Sequence, residues 1–182
     1  MNQTSTTLRT TTLTSAPAGP APTEAQRLIP ARVQERVRRG EPLRVVLEFM
    51  VAELKWHFPD YAWAGVYLVE GDVLVLGPFR GAESPHHRIR VGEEGICGWV
   101  AEHGVAQVIP DVNADPRYLA CSVRIRSEIV VPIVHEGQVL GVIDIDSEMP
   151  AAFSQRDLDV LSQLAKIVAP AVADSMWAGG RS

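Results

Sequence analysis

The sequence predicts an α+β domain, a central and mainly antiparallel sheet of about five to six strands with flanking N- and C-terminal helices. Two observations carry this prediction. Strand-period segments come in pairs with short polar turns between them, Glu70-Gly71-Asp72 in one case and His135-Glu136-Gly137-Gln138 in the other, which is the signature of hairpins. Apolar residues at helical spacing bracket these pairs at both ends of the chain. At 182 residues and 46% hydrophobic, the chain is long enough for one domain with a substantial core.

The elements follow in order. Residues 1–24 form a Thr/Ser/Pro-rich stretch with few large apolar side chains, expected to stay disordered, and residues 25–182 form the domain with an N-terminal helical extension. Glu24 to Gly40 reads as a helical segment interrupted by Pro30. A second helix is expected from Pro42 to about His57, with Val45, Val46, Phe49, Met50, Leu54 and Trp56 as its apolar stripe. Trp63 to Val69 and Val73 to Leu76 make the first hairpin, and Gly77 to His87 reads as a loop. Arg88 to Val91 is a short strand, Ile96 to His103 a helix stopped by Gly104, and Val105 to Ile109 another strand. Asp111 to Arg126 has no clear periodicity, and an irregular stretch of that length in a compact domain is often a functional loop or lid. Glu128 to Val134 and Val139 to Asp144 form the second hairpin. A long helix then opens on Ser154-Gln155-Arg156-Asp157, where Pro170 is expected to kink or end it.

Charge and composition narrow the function. A net charge of −5, with no basic stripe interleaved with aromatics, argues against nucleic acid as a partner. The densest basic run, Arg36-Val37-Arg38-Arg39, reads as a solvated helix face. No apolar run approaches the roughly 20 residues that span a bilayer, and the N-terminus has no apolar segment of signal-peptide type. Two cysteines without a secretion signal point to a reducing, cytoplasmic setting, where thiols serve chemistry more often than structure.

Those cysteines are Cys97, in Gly95-Ile96-Cys97-Gly98, and Cys121, in the irregular stretch. On composition alone both are buried small hydrophobes. Three carboxylates follow them, Glu128 at a strand start and Asp144 and Asp146 two apart at a strand end, hence on one face. They are either ordinary strand-end acids or the floor of a pocket. Such a floor would hold an ammonium group, and a desolvated member could donate a proton. Trp63 and Tyr67, four apart, also share a face, as core packing or as an apolar wall for a thioether or sulfoxide methyl group. Cys97 near a helix start sits where a thiolate is favoured. His86-His87 reads as an exposed loop pair, with no other His or Cys at a recognised ligand spacing, so neither a metal nor another cofactor is expected.

The motifs Trp63-Ala64-Gly65-Val66-Tyr67-Leu68, Leu74-Val75-Leu76-Gly77-Pro78-Phe79, Gly95-Ile96-Cys97-Gly98, Ala120-Cys121, Ser127-Glu128-Ile129-Val130-Val131-Pro132 and Gly141-Val142-Ile143-Asp144-Ile145-Asp146-Ser147 occur in this order. Over about residues 42–172 the chain resembles the free methionine-(R)-sulfoxide reductases, which are single GAF-domain proteins. The resemblance implies a nucleophilic cysteine at Cys121, an acidic substrate pocket from Glu128, Asp144 and Asp146, and aromatic walls from Trp63 and Tyr67. It also implies free methionine sulfoxide as substrate and thioredoxin as reductant, while the terminal helices could serve a homodimer interface. The chain departs from the family pattern near His86, where members carry a third cysteine that resolves the sulfenic acid. Ser122 also stands where an acid is common, and Gly92-Glu93-Glu94-Gly95 is one residue longer than usual. Cys97 or an external thiol would then resolve. The alternatives are a non-catalytic, small-molecule-binding GAF sensor and a structural module with vestigial cysteines.

Overall fold

The computed structural model describes residues 21–179, with side chains from residue 21 to residue 176. The order is α1 (Glu24–Arg38), α2 (Leu43–His57), β1 (Trp63–Glu70), β2 (Val73–Arg80), β3 (Arg88–Arg90), α3 (Gly95–His103), β4 (Gln107–Ile109), β5 (Ser127–His135), β6 (Gln138–Ser147) and α4 (Gln155–Gly179). A single 3-10 turn, Val112–Ala114, follows β4. The six strands form one antiparallel sheet in the order β3-β2-β1-β6-β5-β4. Among the described residues, no helix is long and apolar enough to cross a membrane. The expected disordered tail lies almost wholly outside the described residues.

Alternation along the central strands divides the molecule. Ala64, Val66, Ile129, Val131, Ile143 and Ile145 belong to a core formed with α1, α2 and α4. Tyr67, Val130, Val142 and Trp63 belong to a second, smaller core with Ile96, Cys97 and Val100 of α3. A strand places neighbours on opposite faces, so the helical layer covers one face while α3 and the segment after β4 cover the other.

Several boundaries differ from the sequence expectation. Thr23 caps α1, its hydroxyl accepting from the Gln26 N–H while the Gln26 side chain takes the Thr23 N–H. The helix runs unbroken through Pro30, which is buried with Ile29 and Val33 against the larger core. Pro170 likewise sits inside a continuous α4. Tertiary packing of the apolar stripes offsets the backbone hydrogen bond each proline forfeits. On α2 the buried stripe is Val46, Leu47, Met50, Val51 and Leu54; Val45 and Trp56 are exposed, Trp56 at 83%. Strand β2 continues to Arg80 past a register shift opposite Gly65 and Tyr67, so the loop begins four residues later than expected. The β5–β6 turn places Glu136 and Gly137 both at positive φ, as a two-residue type I′ hairpin turn requires.

Candidate active site

Register alone assembles most of the site. Asp146 stands opposite Glu128 on one side and Trp63 on the other, while Asp144 stands opposite Val130 and Gly65. Paired residues of an antiparallel ladder share a face, so the three carboxylates and both aromatics point to the smaller core. Strand β6 runs to Ser147, so Asp144 and Asp146 lie near its end, but both are buried and neither is a solvent-facing terminator; Glu128, near the start of β5, is buried as well. Above them lies the start of α3. Its Gly98 lies so close to the Arg90 carbonyl of β3 that a Cβ there would collide with it, and this close approach seats Cys97 on the sheet.

Cys97 Sγ lies 4.0 Å from Glu128 Oε1. One ligand atom from each of Cys97, Glu128 and Asp144 falls within 4.8 Å of the other two. The Asp144 Oδ1 atom is buried with no hydrogen-bond partner. Cys121, half-buried, reaches the same cavity from the irregular segment, with its Sγ 3.7 Å from the Leu119 carbonyl. Tyr67, His86, Cys97, Cys121, Glu128 and Asp144 all line this cavity. Neither cysteine is in a disulfide.

Electrostatics follow from burial. Desolvation pushes the Asp144 carboxyl up to about 7, with the Cys97 thiol beside it pulling the other way. Glu128 is raised by burial and then by the charges of Asp144 and Asp146; Asp146 is raised by burial and by Asp144. The Cys97 thiol is pushed well up by burial, then by Asp144 and Glu128. Its place at a helix start would favour a thiolate, but burial among acids outweighs that. Cys121 is also raised, by burial first and then by the same three acids.

A GAF-domain family model matches residues 40–173. The chain belongs to the GAF-domain family. It is 44% identical over 105 residues to the free methionine-R-sulfoxide reductase of Escherichia coli (strain K12), a match over 58% of this chain and 62% of that protein. It is 40% identical over 126 residues to the Saccharomyces cerevisiae protein of the same name, covering 64% of this chain and 69% of the relative. Among solved structures it is similar to the free methionine-R-sulfoxide reductase from Neisseria meningitidis in complex with its substrate, at 37% identity and a TM-score of 0.78. That likeness covers 87% of this chain and 96% of the other.

Within this GAF domain, Trp63 stands beside the cavity. Its ring lies 6.3 Å from that of Tyr67 and 5.7 Å from that of Phe79, and its indole N–H donates to the Ala82 carbonyl. The ring folds over Gly65, where a Cβ would run into it. The Tyr67 hydroxyl donates to the His86 carbonyl at 2.9 Å.

The sequence reading missed two residues here. His86 is not an exposed loop residue: it is half-buried, and its Nε2 lies 3.0 Å from the Ala120 carbonyl, next to Cys121. Only His87 is the exposed member of the pair. Tyr118, in the irregular segment, buries its hydroxyl without a partner, and burial first, then the charges of Asp146, Cys121 and Glu128, raise its pKa. No periodicity marks either residue. The family departure near His86 was the only signal that could have drawn attention there.

Proposed function

We propose that this chain reduces free methionine-(R)-sulfoxide to methionine, with Cys121 as nucleophile and the carboxylates as substrate pocket. The observation that carries the proposal is one cavity lined by both thiols, Tyr67, Glu128 and Asp144, with an unpartnered carboxylate oxygen on Asp144. A buried acceptor without a donor is costly until a ligand supplies one, and an ammonium group supplies three. Recognition of a free amino group would restrict the enzyme to the free amino acid. Tyr67, with Trp63 behind it, would pack the methyl end.

In the step proposed, the Cys121 thiolate attacks the sulfoxide sulfur. The S–O bond breaks as the oxygen passes to Cys121 with a proton, leaving methionine and a cysteine sulfenic acid. Methionine sulfur gains two electrons and the cysteine sulfur loses two. A carboxyl raised to about 7, as at Asp144, is half protonated near neutrality and suits a proton donor. Burial and then the carboxylate charges hold Cys121 protonated; arrival of the substrate ammonium offsets the charges, and that part of the effect favours the thiolate. A second thiol, Cys97 or an external one, condenses with the sulfenic acid, releasing water and leaving a disulfide for thioredoxin to reduce. This cycle belongs in a reducing, cytoplasmic setting, and a homodimer through the outer helices is compatible with it.

The test is thioredoxin-coupled reductant consumption with the R epimer, the S epimer serving as control. Turnover is expected with R alone and should vanish in Cys121→Ser. Wild-type turnover no higher than that of Cys121→Ser, even with dithiothreitol supplied, would sink the reductase reading. Cys97→Ser should keep the first turnover and lose thioredoxin-dependent recycling; full recycling in that variant would remove Cys97 as resolver. A second reading, a GAF sensor that binds without turnover, draws on the raised pKa of both thiols. Tight ligand binding with no reductant consumed would favour it.

A further inference from the structure

Cys97, Glu128 and Asp144 come from α3, β5 and β6, so no sequence spacing links them. Folding nevertheless brings one sulfur and two carboxylate oxygens within 4.8 Å of one another, all buried. Two ligands bound to a tetrahedral zinc ion at about 2.0–2.3 Å lie roughly 3.5 Å apart, so these atoms need to close by only about an ångström. The second observation is Asp144 Oδ1, the oxygen that a substrate ammonium would also satisfy, buried in this set with no hydrogen-bond partner. Buried polar atoms are nearly always satisfied, and an orphan marks a missing water, ion or ligand.

We propose that Cys97 Sγ, Glu128 and Asp144 form a binding site for a divalent ion of zinc's chemical class. The Cys97 thiol, and each carboxyl that is protonated, releases its proton to solvent; the sulfur becomes a ligand and each carboxylate gives one oxygen. Three protein ligands leave a fourth position for water, the arrangement of open zinc sites. The sulfur selects a borderline ion over magnesium or calcium, which take oxygen ligands. Glu128 and Asp144 are also the carboxylates assigned to the substrate, so a bound ion would block reduction. That consequence rests on the reductase reading; the binding itself does not.

The test uses the full chain, reduced and stripped of metal, and reads binding with no reference to turnover. Cobalt(II) is titrated while the near-ultraviolet thiolate-to-cobalt charge-transfer band is followed, and zinc is then added. One equivalent of cobalt should raise the band and zinc should abolish it. The band should persist in Cys121→Ser and vanish in Cys97→Ser. Asp144→Asn should weaken zinc at least tenfold in competition with a chromophoric chelator, whereas calcium and magnesium should not displace zinc. The proposal is overturned by absence of the band in the wild type, its persistence in Cys97→Ser, or unchanged zinc affinity in Asp144→Asn. Should Cys97→Ser fail to fold by circular dichroism, the wild-type band and Asp144→Asn decide the matter. Metal binding without reductase turnover upholds this site and removes only its inhibitory meaning; turnover without metal binding does the reverse.

Discussion

Reactivity at the level of single residues turns on where protons sit. Cys121 is held protonated by burial and by Asp144, Asp146 and Glu128, so near neutral pH its thiolate fraction lies below that of an ordinary cysteine. Alkylation of Cys121, followed by peptide mass spectrometry, should therefore be slower than that of a free thiol at neutral pH. Below the thiol's pKa the rate should climb about tenfold per pH unit, since only the thiolate reacts. Glu128→Gln removes one opposing charge and should speed alkylation at fixed pH. An alkylation rate equal to that of free cysteine, with no response to Glu128→Gln, would contradict this electrostatic account. Asp144, raised to about 7, is the complementary group. Turnover should decline as pH rises through that region if Asp144 delivers the proton.

Elements place these residues, and α3 is held close against β3. The Gly92 N–H donates to the Gly98 carbonyl at 2.9 Å, and the Gly98 Cα lies against the Arg90 carbonyl. A methyl group there meets backbone, which cannot swing aside as a side chain would. Gly98→Ala should lift α3 from β3 and destabilise the domain by about 1–3 kcal/mol, read by urea unfolding. Wild-type stability in that variant would mean that α3 is free to shift. The segment between β4 and β5 is held differently. Arg117 pairs with Asp115, reaches Gln107 at 3.3 Å and lies over the Trp99 ring of α3. These polar and cation–π contacts order a stretch that has no apolar period of its own.

Across the whole molecule, the sheet carries the larger core on one face and the candidate site on the other. The larger core packs α1, α2 and α4 onto aliphatic strand residues, while the smaller core surrounds three buried acids. Those acids oppose folding when ionised. Asp144 has an ordinary value of 3.8 and a folded value of about 7. The stability of its neutral form is therefore full below about pH 4 and is lost as pH rises through about 7. Asp144→Asn should accordingly unfold at higher urea than the wild type at pH 8, by roughly 1–2 kcal/mol, while losing activity. Its stability should also vary less between pH 4 and 7 than that of the wild type. Lower stability of Asp144→Asn at pH 8 would show that the carboxylate supports the fold there.

Hairpins, helical stripes and the shared face of Asp144 and Asp146 were legible because they depend on period and on near neighbours in the chain. The α+β class and the order of elements followed from them. Strand lengths were not legible: β6 runs on to Ser147, and period alone does not separate a solvent-facing strand end from a pocket floor. Nor was the passage of α1 and α4 through Pro30 and Pro170, since packing from distant segments decides whether a helix survives a proline. The protonation of Cys97 and Cys121, the seat of His86 and the meeting of Cys97 with Glu128 and Asp144 belong to the tertiary structure alone. Which faces are apolar and which residue types are available is written in the chain order alone, because side-chain direction repeats locally. Proximity and desolvation decide what those residues can do, and both arise only when β5, β6, α3 and the Cys121 segment close on one another.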